Sequence, residues 1–177
     1  MNKVESMRHI SFAAVLLLAA CGDGGTTATS PPTPATPVAT SITLSATTLS
    51  LASLGETSQL TATVKDQNGA TMSGATVTWA TSDAAVTTVS STGLVTSVAD
   101  GTATITATSG SASATASVTV AQVAATLSLS DSTLTFASLA DTTQLTATVT
   151  DANGETMSGA TVTWATSDAV VATVSST

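Results

Sequence analysis

Cationic and aromatic side chains are almost missing from this sequence. Lysine and arginine together number 3, histidine and cysteine occur once each, and there is no tyrosine. Lys3, Arg8 and His9 all fall in the first nine residues, so Lys65 is the only cation beyond them, against ten acids. Such a chain cannot neutralise a phosphate backbone, which excludes nucleic acid as a partner and disfavours direct binding to anionic headgroups. Past His9 there is no imidazole and no guanidinium. That removes most general bases, most transition-metal ligands and bidentate anion binding. Serine and threonine are plentiful, but no histidine or suitably placed lysine activates one. No enzymatic activity and no cofactor are expected. With Cys21 the only cysteine, an intrachain disulfide is impossible.

Proline is confined to Pro31, Pro32, Pro34 and Pro37. These lie in Gly22–Ala39, a Pro/Thr/Gly-rich stretch that cannot form a core and reads as a linker over residues 22–39. Its prolines stiffen it toward polyproline II, with a reach of roughly 55 Å at ~3.1 Å per residue. The Thr/Pro mixture is also a candidate for O-glycosylation.

Before the linker, Lys3 and Arg8 precede an apolar run, Ile10–Ala20, interrupted only by Ser11. Eleven residues are too few to span a bilayer as a helix but fit the apolar core of a signal peptide. The run ends in Leu18-Ala19-Ala20-Cys21, followed by Gly22. This resembles the lipobox of bacterial lipoproteins. The resemblance implies a signal peptide over residues 1–21, lipidation of Cys21, and an anchor of several acyl chains, firmer than one alone. Gly22 in place of Asp implies outer-membrane sorting, and with it a location at the bacterial cell envelope or surface. Membrane association through this lipid is the expected partnership. The positive mean hydropathy reflects alanine and this N-terminal run, and implies no second span.

A long repeat governs the remainder. Thr71–Ala84 reads TMSGATVTWATSDA, and Thr156–Ala169 repeats it letter for letter 85 positions later. Residues 125–177 align with 40–92 without a gap, at 37 identities in 53 positions. A fixed long period marks an array of like modules. Two are expected, at residues 40–121 and 124–177, with the three-residue joint Gln122-Val123-Ala124 making them a semi-rigid pair.

Within the first module, short alternating runs are separated by turn residues. In Gln59–Val64, Leu60, Ala62 and Val64 point one way and Gln59, Thr61 and Thr63 the other. Asp66-Gln67-Asn68-Gly69 signals a turn. Further runs follow at Thr76–Trp79, Val86–Val89, Leu94–Val98, Thr102–Thr108 and Ala114–Val120, with no helical period. About seven strands at this spacing predict an all-β chain of antiparallel Ig-like sandwiches. The expected core residues are Leu60, Val64, Val77, Trp79, Ile105 and Val118, with Trp164 in the second copy and Trp79 the largest piece. Phe136 also stands at an apparent core position, so a sugar-binding aromatic platform is not expected.

Val86–Gly110 reads VTTVSSTGLVTSVADGTATITATSG. Together with Gln59–Val64 and Val77-Thr78-Trp79, it resembles the bacterial Ig-like domain, group 2, over 40–121 and in part over 125–177. That resemblance implies a surface protein of spacer or adhesive kind, with monomeric modules in a longer chain. The second copy stops at Thr177, the counterpart of Thr92, and is expected to be a C-terminally truncated module. Strand donation by another chain is the alternative. For function, a non-catalytic, membrane-anchored surface lipoprotein with a spacer or stalk role, or a role in cell adhesion, is expected. The alternatives are modules that bind a host protein or glycan directly, and an effector or enzyme domain beyond Thr177. Calcium is the one ion to weigh: Asp66 and Asn68, and Asp151, Asn153 and Glu155 in the second copy, place oxygens at turns. A full set of six to eight donors is not visible, and turn formation accounts for these residues.

Overall fold

The computed structural model describes residues 35–175, and within them the structure is all β, with no helix. Cys21 and residues 1–34 lie outside the described residues. The sequence-predicted linker ends early, because Ala39 is already buried and opens the first strand.

The first repeat contributes nine strands. They are β1 (Ala39–Leu44), β2 (Thr48–Leu51), β3 (Thr57–Gln59), β4 (Ala62–Asp66), β5 (Thr78–Thr81), β6 (Thr87–Val89), β7 (Leu94–Ser97), β8 (Gly101–Ser109) and β9 (Ala112–Val120). Alternation with a period of two sends one side of each strand inward. On β8, Ala103, Ile105 and Ala107 are buried; on β9, Ala116, Val118 and Val120 are. The outward positions are mostly Thr and Ser, which supply polarity where charge is scarce.

These strands form a four-stranded sheet in the order β2-β9-β8-β5, a three-stranded sheet β3-β7-β6, and the pair β1-β4. Leu51, Leu60, Val95, Ile105, Ala116, Val118 and Val120 join the first two in one core cluster. A second cluster sets Ile42 and Val64 of β1 and β4 against Ala107 and Ala112 of β8 and β9. Trp79 is half-buried and packs against both clusters, so its ring ties the two halves of the interior together.

Two features depart from simple expectation. The predicted run Gln59–Val64 is broken at Leu60-Thr61, where the chain passes from β3 to β4. Leu60 N–H donates to the Gly93 carbonyl at 2.9 Å and Thr61 N–H to Ser45 Oγ at 3.0 Å, so each residue is held by a different neighbour. In addition, β2 runs parallel to β9, whereas every other ladder is antiparallel.

Among the described residues the second repeat forms two strands, β10 (Thr126–Leu129) and β11 (Ala147–Thr150), paired antiparallel. They are the counterparts of β1 and β4. In the first repeat β1-β4 is the one ladder that needs none of β7, β8 and β9. Residues 93–121, which hold those strands, have no counterpart in the second repeat of this sequence. Trp164, expected in the core, is half-buried like Trp79 but belongs to neither core cluster, and Phe136 is exposed. Among the described residues, no counterpart of β8 or Gly93 packs on them.

Candidate functional site

The most constrained polar site is the junction of the two repeats. It begins with the sequence Asp-x-Asn-Gly. In the second repeat, Asp151 Oδ1 accepts from the backbone N–H groups of Asn153 (3.0 Å) and Glu155 (2.9 Å), closing the turn on itself. Gly154 at φ 85° occupies the left-handed position that such a turn requires. One oxygen thus holds the turn and leaves Oδ2 to reach outside it.

Oδ2 accepts the backbone N–H of Leu54 at 2.8 Å and the side-chain amide of Gln122 at 3.0 Å. Asn153 Nδ2 donates to the Leu54 carbonyl at 2.8 Å, so both backbone groups of Leu54 are bound by the second repeat. The receiving loop is itself fixed. Glu56 Oε2 accepts from Ala52 N–H and Ser53 N–H, and Ser97 Oγ donates to the Ser53 carbonyl at 2.6 Å. Asp151 is only 1% exposed. Burial opposes ionisation of its carboxyl. The hydrogen bonds from Gln122 and from the N–H groups of Leu54, Glu155 and Asn153 outweigh burial, and the group lies below the ordinary aspartate range.

The connector extends the β2-β9 ladder. Ala121 N–H donates to the Leu51 carbonyl at 3.0 Å and Val123 N–H to that of Ala52 at 2.9 Å. Between them, Gln122 N–H is taken by Asp100 Oδ1 at 2.8 Å. Every backbone donor from Ala121 to Val123 is thereby satisfied by the first repeat.

The first repeat carries the same turn in a different setting. Asp66 Oδ1 accepts from Asn68 N–H and Ala70 N–H at 2.8 and 2.9 Å. Val38 N–H, the counterpart of Val123 N–H, donates to Gln67 Oε1 at 2.8 Å. Where the second repeat uses a carbonyl of its predecessor, the first uses its own Gln67, a residue replaced by Ala152 in the second. Of the calcium candidates, Asp66 and Asp151 accept turn bonds through Oδ1, Asn68 joins its turn through its backbone N–H and Asn153 donates from Nδ2; no cluster of three or more acidic, His or Cys residues that could hold a metal ion occurs among the described residues.

The structure places the remaining sequence-predicted residues as follows. Leu60, Val64, Ile105 and Val118 are buried, and Val77 and Trp79 are half-buried. Gly93, at φ 84°, lies directly over Trp79: a Cβ there would stand 2.8 Å from Cζ2 and 2.4 Å from the Leu60 carbonyl oxygen. Leu54 was not marked by the sequence, because it acts through its backbone.

Residues 38–120 match the family model of the bacterial Ig-like domain, group 2. Over those residues the first repeat is similar to that family. The strands β1 to β9, the Trp79–Gly93 contact and the receiving loop at Leu54 all lie within the matched residues, whereas Asp151 and its turn lie past them. Among solved structures, domains 4 and 5 of the S-layer protein SbsC align at 29% identity and a TM-score of 0.44, over 49% of this chain and 54% of that one. Domains 5-6 of the same protein align at 27% and 0.44, over 67% and 65%. Its domains 1-6 align at 26% and 0.46, over 69% of this chain and 17% of that one. This chain thus spans about half of the first of these structures and a smaller share of the larger one. No curated protein matches it.

Proposed function

We propose that this chain is a non-catalytic surface lipoprotein, anchored through lipid on Cys21, whose Ig-like modules act as a spacer or stalk. The second repeat is read here as a second Ig-like module. The observation that carries the spacer reading is the junction. Asp151 and Asn153 grip both backbone groups of Leu54, and the connector is zipped to the first module. A joint with each donor satisfied and a short connector transmits orientation, which a flexible linker does not. The side chains at this junction position and hold; none is a nucleophile with an activating base.

Anchoring rests on the lipobox resemblance at Leu18–Cys21, and the Pro/Thr-rich stretch that follows would hold the modules off the membrane. With an acidic surface and Lys65 as the one cation beyond the leader, attachment through lipid suits this chain better than attachment through headgroup electrostatics. Labelled palmitate should enter the protein in a bacterial host, and Cys21→Ser should abolish both the label and membrane fractionation. Unchanged fractionation of Cys21→Ser would end the anchor reading.

A further inference from the structure

Asparagine precedes glycine twice, at Asn68-Gly69 and Asn153-Gly154, in turns of the same build. In each, an aspartate two residues earlier accepts the asparagine N–H, at 2.8 and 3.0 Å. In each, the glycine N–H donates to that aspartate's carbonyl, at 3.0 and 3.1 Å, and the glycine has a positive φ, 79° and 85°. A Cβ on either glycine would meet nothing within 4 Å, so the space around both is open. Both asparagines are exposed to water. They differ in what holds the side-chain amide. Asn153 Nδ2 donates to the Leu54 carbonyl at 2.8 Å. Among the described residues, no partner holds the side-chain amide of Asn68.

Asparagine is thermolabile, and a following glycine puts no side chain in the way of its own backbone nitrogen. We propose that Asn68 is a site of spontaneous deamidation, and that docking on Leu54 spares Asn153 the same reaction. The Gly69 nitrogen attacks Cγ of Asn68, and the Cγ–Nδ2 bond breaks. Nδ2 leaves as ammonia, carrying the proton that the Gly69 nitrogen gives up. Water then opens the five-membered imide at either carbonyl, to aspartate or isoaspartate. Its oxygen completes a carboxyl group and one of its protons returns to the nitrogen. One water enters, one ammonia leaves, and nothing is oxidised. At Asn153 the bond to Leu54 pins the amide, so Cγ does not turn toward the Gly154 nitrogen while the junction is closed. A carboxylate at 153 would face the Leu54 carbonyl with no proton to offer. An opened joint therefore loses half its clasp permanently, a consequence that rests on the spacer reading.

The test incubates the full chain in mildly alkaline buffer, native and in urea, and follows both asparagines by peptide mass spectrometry. In the native chain Asn68 should convert about tenfold or more faster than Asn153, and in urea the two should agree within about twofold. Asp151→Ala should bring Asn153 close to the rate of Asn68. Asp66→Ala, which alters the same turn away from the junction, should change the Asn68 rate far less. An Asn68 that stays an amide in the native chain overturns the proposal, as does a ratio that persists in urea. Equal acceleration by the two alanine variants overturns it as well, since the turn and not the docking would then protect. Equal native rates with a fixed spin-label distance between the repeats overturn this inference and leave the spacer reading standing. Equal rates with a broad distance distribution overturn both.

Discussion

Oδ2 of Asp151 accepts the backbone N–H of Leu54 at 2.8 Å, across 97 residues of sequence and between the two repeats. The same carboxylate closes its own turn through Oδ1. One side chain therefore shapes the second repeat's turn and docks that turn on the first.

This dual use gives the junction a pH dependence of definite sign. The docked carboxyl is held below the ordinary aspartate range, chiefly by Gln122 and three backbone N–H groups acting against burial. A depressed value means that docking is favoured above the free pKa, about 3.9, and is lost as pH falls through the docked one. Carboxyl NMR should show Asp151 titrating below an isolated aspartate. Gln122→Ala should raise that midpoint. A midpoint at or above the isolated value would contradict the clasp.

Gly93 is a position where only glycine fits. Its φ of 84° is costly for any other residue, and a Cβ would meet backbone at Leu60 as well as the Trp79 ring. Backbone cannot rotate away as a side-chain end can. Gly93→Ala should destabilise the first repeat by about 2–4 kcal/mol in urea unfolding, from backbone strain plus overpacking. A change under about 0.5 kcal/mol would show that the contact is not tight.

Trp79 and Trp164 sit in the same fourteen-residue sequence and should behave differently. Trp79 packs against both core clusters, so Trp79→Ala should cost about 3 kcal/mol. Trp164 belongs to neither, and Trp164→Ala should cost less than about 1 kcal/mol. Equal costs would mean that the second repeat has a closed core of its own.

Much of the first repeat was legible because its code is local. Alternation marked β8 and β9, and Asn68-Gly69 marked the turn after β4. What alternation cannot show is a change of sheet. Leu60 continues the pattern from Gln59 to Val64, yet the chain crosses there from one sheet to another. The parallel β2-β9 pairing was also invisible, since strand direction is set by the crossing at Ser45–Thr47 and not by side-chain type. Trp164 is half-buried like Trp79, but its partners differ: Trp79 packs against two clusters that include residues of β8 and β9, and Trp164 belongs to neither. The Asp-x-Asn-Gly turns were read as turns with calcium as the competing use. Their divergence into a docked Asp151 and a self-contained Asp66 depends on Leu54, whose contribution is a backbone N–H with no sequence signature.

The spacer reading stands or falls on whether the junction is fixed. Spin labels at Ser113→Cys and Ser128→Cys, in a Cys21→Ser chain, would report the distance between the repeats by pulsed electron resonance. A narrow distribution that broadens in Asp151→Asn is the result predicted here. A distribution equally broad with and without Asp151 would contradict it, and the repeats would then be beads on a flexible string.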